Sequence, residues 1–130
     1  MAHDPTWRRV VSFSLEIDYP IERMEQNRKR AKARQSYDYH DRVPVAFCFV
    51  PRFFTPIFGI PYNEIFKDIE TQYHRLLQFA KYRIENIPDD SYCFEPTVVV
   101  QPYFDNVIEA DAFGAEIIYP ENETVHLSTR

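Results

Sequence analysis

The stretch Val43-Pro44-Val45-Ala46-Phe47-Cys48-Phe49-Val50 decides how the rest of the chain is read. It is β-branched and aromatic without polar alternation, the pattern of a strand buried on both faces, as in a parallel sheet. Pro44 is tolerable because it lies among the strand's first residues. Cys48, inside the run, reads as a small core hydrophobe. Downstream, Pro51, Pro56 and Pro61 punctuate a Phe-rich segment, PRFFTPIFGIP, that reads as a loop. A long helix is predicted next: Asp68 can cap it, and Ile69, Tyr73, Leu76, Leu77, Ala80 and Ile84 form one apolar stripe. It ends near Ile87-Pro88, where proline cannot extend it. After a polar turn at Asp89-Asp90-Ser91, Thr97-Val98-Val99-Val100-Gln101 reads as a second buried strand. Strand, long helix, strand implies a right-handed βαβ unit with parallel strands.

Working outward, a shorter helix is expected from about Asn106 to Phe113, capped by Asp105 and ended by Gly114. Ala115 to Tyr119 reads as a third strand, followed by a Pro120-Glu121-Asn122 turn and a short return strand through His126. On the N-terminal side, Asp4-Pro5 is a good helix start, and Trp7, Val10, Val11 and Ser14 share one helical face. Val11, Phe13, Leu15 and Ile17 also alternate as in a strand, but a helix ending at Tyr19-Pro20 is the expectation. A strongly charged helix then spans about 21–36, with few apolar residues of its own, so it needs a partner surface.

Composition bounds the function. The 130 residues suit one domain, no apolar run reaches the length of a membrane span, and the first ten residues lack a secretory core. A cytoplasmic protein with no membrane partner is therefore expected. With Gly occurring only twice, a Gly-rich phosphate loop is excluded. Aromatic residues reach 16%, which either fills a core or marks surface awaiting a planar ligand, another chain or more of the same chain. Residues 1–42 are net basic and the remainder is strongly acidic, for a total of −5. The basic block Arg28 to Arg34 sits in a helix-compatible stretch, and Glu25 to Lys29 has the helix-supporting order. A solvated or interface-facing helix fits it better than a nucleic-acid contact. His40, His74, His126, Cys48 and Cys93 are scattered without ligand spacing, so neither a metal nor a disulfide is expected.

The order of elements resembles the opening of the uroporphyrinogen decarboxylase superfamily, which includes decarboxylases of tetrapyrrole side chains and corrinoid-dependent methyltransferases. The similarity is carried by Asn27-Arg28-Lys29-Arg30 before Asp41-Arg42-Val43-Pro44-Val45, by Pro102 to Val107 leading to Asp111 to Glu116, and by Pro120 to Thr124. It covers roughly residues 20–130. The resemblance implies an α/β fold: a partial (β/α)8 barrel, with residues 1–42 as an N-terminal helical extension and 43–130 as the first βα units. Such barrels need about 200–250 residues, so the missing part would come from oligomerisation or a complementary C-terminal barrel chain. The strand beginning at Val43 is then expected to carry at least one uncovered edge.

The same resemblance nominates Asp105 as catalytic, since it stands nine residues before Gly114 as the family's aspartate does before its glycine. The reading from the residues alone, an N-cap, stands beside it. Arg52, Phe53 and Tyr103 are the implied substrate-binding wall. Arg52 is the only cation where the decarboxylases carry an arginine pair, so an apolar substrate or a corrinoid-facing surface suits the sequence better than a polycarboxylate. The implied function is the N-terminal part of a methyltransferase-like protein, inactive alone. No cofactor is expected on this chain by itself, with cobalamin or a corrinoid protein as a possible partner through the resemblance. The alternative is a non-catalytic module that self-associates.

Overall fold

The computed structural model describes residues 14–38, 41–90 and 96–128. The expected helix from Asp4 lies mostly outside these; its described end, residues 14–20, has no regular structure. The element order is α1 (Ile21–Gln35), α2 (Pro51–Phe58), a 3-10 turn (Tyr62–Phe66), α3 (Ile69–Asn86), α4 (Ile108–Ala112), β1 (Ile117–Ile118) and β2 (His126–Leu127). The two strands are antiparallel, pairing Ile117 with Leu127 and Ile118 with His126.

Helix α3 forms where its caps dictate. The Asp68 carboxylate accepts from the Thr71 N–H at 2.7 Å and from the Thr71 hydroxyl at 2.8 Å. Those bonds, the backbone one first, hold its pKa below the usual carboxylate range. At the other end Ile87 is extended, as the residue before a proline must be. Helix α2 occupies the segment read as a loop. Pro51 sits at its first turn, where no donor is missed, and Gly59 closes it in the left-handed conformation at φ 62°. Pro56 inside the helix leaves the Arg52 carbonyl without its N–H partner, and the Thr55 hydroxyl donates to that carbonyl at 3.4 Å.

Two apolar clusters follow. Phe54, Ile65 and Phe79 are buried under α2, the 3-10 turn and α3, with Phe54 stacked on Phe79 at 5.0 Å. Tyr62, Val107 and Val125 form the second, beneath the hairpin. Many of the rings therefore fill core, while Phe47, Phe53, Tyr73, Phe104 and Phe113 remain exposed. Helix α1 buries only Met24 and Asn27 and is tied to the end of α3 by polar contacts: Arg23 Nη2 donates to the Ile84 carbonyl at 2.6 Å, and Asn27 Nδ2 to that of Asp89 at 3.3 Å.

The partial (β/α)8 barrel is contradicted. Among the described residues the only sheet is the antiparallel pair β1–β2, and the fold is otherwise helical. Neither 43–50 nor 97–101 is a strand. In the first segment side chains rather than a neighbouring strand take up backbone groups, with Asp90 and Asp89 accepting from the N–H groups of Val45 and Phe47. Gln72 holds the backbone of Tyr103, just beyond the second segment. Cys48 is exposed and is not the core residue expected, whereas Cys93 lies outside the described residues.

Candidate functional site

Three of the four residues singled out in the sequence meet at Tyr62. The 3-10 turn buries the Tyr62 ring, and its hydroxyl donates to Asp105 Oδ2 at 2.8 Å and lies 3.3 Å from the Tyr103 hydroxyl. The Arg52 guanidinium stacks over the same ring at 5.9 Å and donates to the Thr124 hydroxyl. Phe53 is not part of this group. Helix α2 turns successive residues about 100° apart, and Phe53 packs on Phe49 and Phe54 instead, at 4.5 and 5.1 Å.

The chemistry of this cluster is that of a pin. Burial first, then hydrogen bonding with Tyr103 and Asp105, pushes the pKa of the Tyr62 hydroxyl far above its ordinary value, so it stays a donor. Burial also raises Tyr103. Asp105 has φ 56°, a left-handed conformation that Asp tolerates better than most residues. Its second oxygen accepts from the Asn106 N–H at 2.9 Å. It does not cap α4, whose N-cap is Val107, and no barrel strand ends beside it. Gln72, buried at 5% exposure, completes the arrangement. Its Oε1 accepts from the Tyr103 N–H at 2.9 Å, and its Nε2 donates to the carbonyls of Tyr103 at 2.8 Å and Ile65 at 3.1 Å.

A second place is built differently. Residues 43–50 run beside Asp89-Asp90 in an alternating pattern. The Val45 N–H donates to Asp90 Oδ2 at 2.7 Å, and the Val45 carbonyl accepts from the Asp90 N–H at 2.7 Å. Two residues on, the Phe47 N–H donates to Asp89 Oδ2 at 3.1 Å and its carbonyl accepts from Arg83 Nη2 at 2.6 Å. Period-two alternation is the geometry of an extended strand, so Ala46 and Cys48 turn their backbone groups to the opposite edge. Among the described residues nothing hydrogen-bonds to those groups. The uncovered strand edge expected here is not found as such, because 43–50 is not a strand; among the described residues one side of the extended segment meets carboxylates and the other meets no hydrogen-bonding partner.

Comparison with family profiles, with curated proteins and with solved structures finds no match in any of the three. The site thus rests on its own geometry. Among the described residues no group of three or more His, Cys, Asp or Glu could hold a metal ion, and no helix is long and apolar enough to cross a membrane.

The carboxylates that create the edge were missed in the sequence, where Asp89-Asp90-Ser91 reads only as a polar turn. Asp90 also takes Arg42 through both nitrogens, at 2.6 and 2.8 Å, and Arg30 at 3.3 Å. Burial opposes its ionisation, but the hydrogen bonds from Arg42 and Val45 and the nearby arginine charges outweigh that and leave its pKa below the usual carboxylate range. Arg30 also pairs with both oxygens of Asp41, at 2.7 and 2.6 Å, and its hydrogen bonds hold Asp41 down to about 2. The visible signal was the charge balance: a basic stretch at Arg28 to Arg42 facing two adjacent aspartates that follow a helix-ending proline.

Proposed function

We propose that the chain is a non-catalytic assembly module that self-associates by strand addition along the free edge of Pro44–Val50. The observation that carries this reading is the one-sided bonding of the segment: the backbone of Val45 and Phe47 is occupied, and among the described residues nothing bonds to that of Ala46 and Cys48. An open edge is a template for pairing with another chain, and soluble proteins ordinarily cover or charge such edges. Here the flanking side chains do neither. Val43, Val45, Phe47 and Val50 are exposed, with Phe47 at 54%, and Phe53 and Ile57 extend the apolar surface onto α2. Burying that surface supplies the hydrophobic contribution and the ladder supplies direction. A cytoplasmic setting fits the exposed free thiol of Cys48 on this edge.

Sedimentation equilibrium of the full chain tests the reading. A reversible dimer or closed oligomer at micromolar concentration is expected, and Ala46→Pro, which deletes one edge donor, is expected to shift it to monomer. A wild-type chain that stays monomeric throughout overturns the proposal.

A further inference from the structure

We infer that the partner on this edge is a second copy of the same segment, antiparallel, with Phe47 of each copy meeting on the two-fold axis. This rests on the assembly reading above and adds its register. Matching of donors and acceptors selects this register. Residues of even number between 44 and 50 face the open edge, so their N–H and C=O groups are the ones a partner must satisfy. Two of those groups are missing. Pro44 has no N–H, and the Val50 carbonyl is already occupied by the Phe53 N–H at 3.0 Å, the first bond of α2.

With Phe47 on the axis, Pro44 lies opposite Val50 of the second copy, and the two deficits face each other. The Val50 N–H then donates to the Pro44 carbonyl, and no donor or acceptor is left over at that pair. Ala46 lies opposite Cys48, and each gives its N–H to the other's carbonyl. Shifting the axis by one residue breaks the match. An axis at Ala46 sets the Cys48 carbonyl against Pro44, which has nothing to donate. An axis at Cys48 sets the Ala46 N–H against the Val50 carbonyl, which is taken. An unmatched polar group within a ladder costs stability, so the Phe47 axis is selected.

Side chains agree with this register. Phe47 and Phe49 share a face, with ring centroids 5.8 Å apart, and Phe49 packs into the core beneath the Arg83 guanidinium. On the axis Phe47 meets its own copy, and Val45 lies opposite Phe49. These are aromatic and aromatic–β-branched cross-strand pairs of the favourable kind. The thiol of Cys48 lies on the other face, diagonal to its copy rather than opposite.

Amide exchange and cysteine pairing test the inference in the full chain. In the wild type, protection of the Ala46, Cys48 and Val50 amides is expected to rise together with concentration, while Val45 and Phe47 are protected at every concentration. In a background of Cys48→Ser and Cys93→Ser, Phe47→Cys is expected to form a covalent dimer on mild oxidation. Residues facing each other at a non-hydrogen-bonded pair lie about 4.5 Å apart at Cα, within disulfide reach. Ala46→Cys in that background, and Cys48 alone, are expected not to crosslink, because diagonal positions are about 7–8 Å apart. Crosslinking through position 46 or 48 in place of 47 overturns the register while leaving self-association standing. A dimer in which the Ala46 and Cys48 amides stay unprotected overturns the use of this edge. A monomer in all variants overturns the assembly reading itself.

Discussion

Replacing Asp90 by alanine removes the acceptor that the Val45 N–H and two arginines share, and its cost can be worked bond by bond. The side chain is only 4% exposed and accepts from Val45 at 2.7 Å, from Arg42 at 2.6 and 2.8 Å and from Arg30 at 3.3 Å. Arg30 keeps Asp41 and Asn27, so its loss is small. Arg42 is 45% exposed and regains water, so its pair counts as a surface one, about 0–1 kcal/mol. The bond from Val45 to a carboxylate is charge-assisted and contributes about 1.5–3 kcal/mol. Together these give a destabilisation of about 1.5–4 kcal/mol for Asp90→Ala.

Asp90→Asn keeps an oxygen for Val45 but removes the charge from every bond it accepts. The Val45 bond falls from charge-assisted to neutral, about 1 kcal/mol, and the Arg42 pair loses about 0–1 kcal/mol, so about 1–2 kcal/mol is expected. Urea unfolding followed by circular dichroism gives the totals, and amide exchange locates them. The Val45 amide should exchange faster in the alanine variant while Phe47, held by Asp89, stays protected. If both variants fall within about 0.5 kcal/mol of wild type, the range of ordinary surface substitutions, the carboxylate is not what holds the segment.

Gln72→Leu keeps the volume of that buried side chain but orphans the N–H and carbonyl of Tyr103. About 1–3 kcal/mol per unsatisfied group is expected in a urea melt, and a loss below that range for the whole substitution would refute the pin. At Asp105, substitution by alanine meets the left-handed backbone and deletes the acceptor for Tyr62. About 1–3 kcal/mol is expected, against under about 1 kcal/mol for Asp105→Asn, which tolerates that conformation and retains an oxygen; equal costs would show that backbone conformation is irrelevant there. Acid sensitivity follows from carboxylates whose pKa lies below the usual range, Asp41 at about 2 and Asp90 below its ordinary value. Such groups stabilise the fold above the unfolded carboxylate pKa of about 3.9 and lose that contribution as pH falls through the folded value. A midpoint that drops between about pH 4 and pH 2 and flattens in an Asp41→Asn/Asp90→Asn double variant is the expected result; an unchanged acid profile would contradict it.

The parts legible in the sequence are those fixed by neighbours along the chain. Asp68, the apolar stripe and Pro88 define α3 nearly to the residue, and the charged run after Pro20 gives α1. The hairpin turn at Pro120 was likewise readable, although only Ile117–Ile118 and His126–Leu127 pair. Helix α2 was readable in principle, since Pro51 and Gly59 are its start and stop signals, but three prolines in one segment argued for a loop. The strands were misread for a different reason. VPVAFCFV and TVVVQ announce extended apolar chain, yet what completes the hydrogen bonds of such chain depends on residues distant in sequence: those that meet Val45 and Phe47 lie 36–45 positions away. Arg52, Tyr103 and Asp105 do come together, but around Tyr62, a residue that carried no signal beyond its place in an aromatic-rich segment.

That substitution of side chains for a strand explains why one edge is closed and the other open. A carboxylate offers acceptors only, so Asp89 and Asp90 satisfy the N–H groups of Phe47 and Val45. The carbonyls need separate donors, which the Asp90 N–H and Arg83 supply. Charge of both signs is thus concentrated on the inner edge, which suits partners fixed within the chain. The outer edge keeps an unmodified backbone flanked by Val and Phe, with Pro44 and Val50 setting its limits. A chain under no other demand would place a charge or proline at Ala46 or Cys48, as isolated edges commonly do. The absence of such a guard at those two positions is what a pairing surface requires.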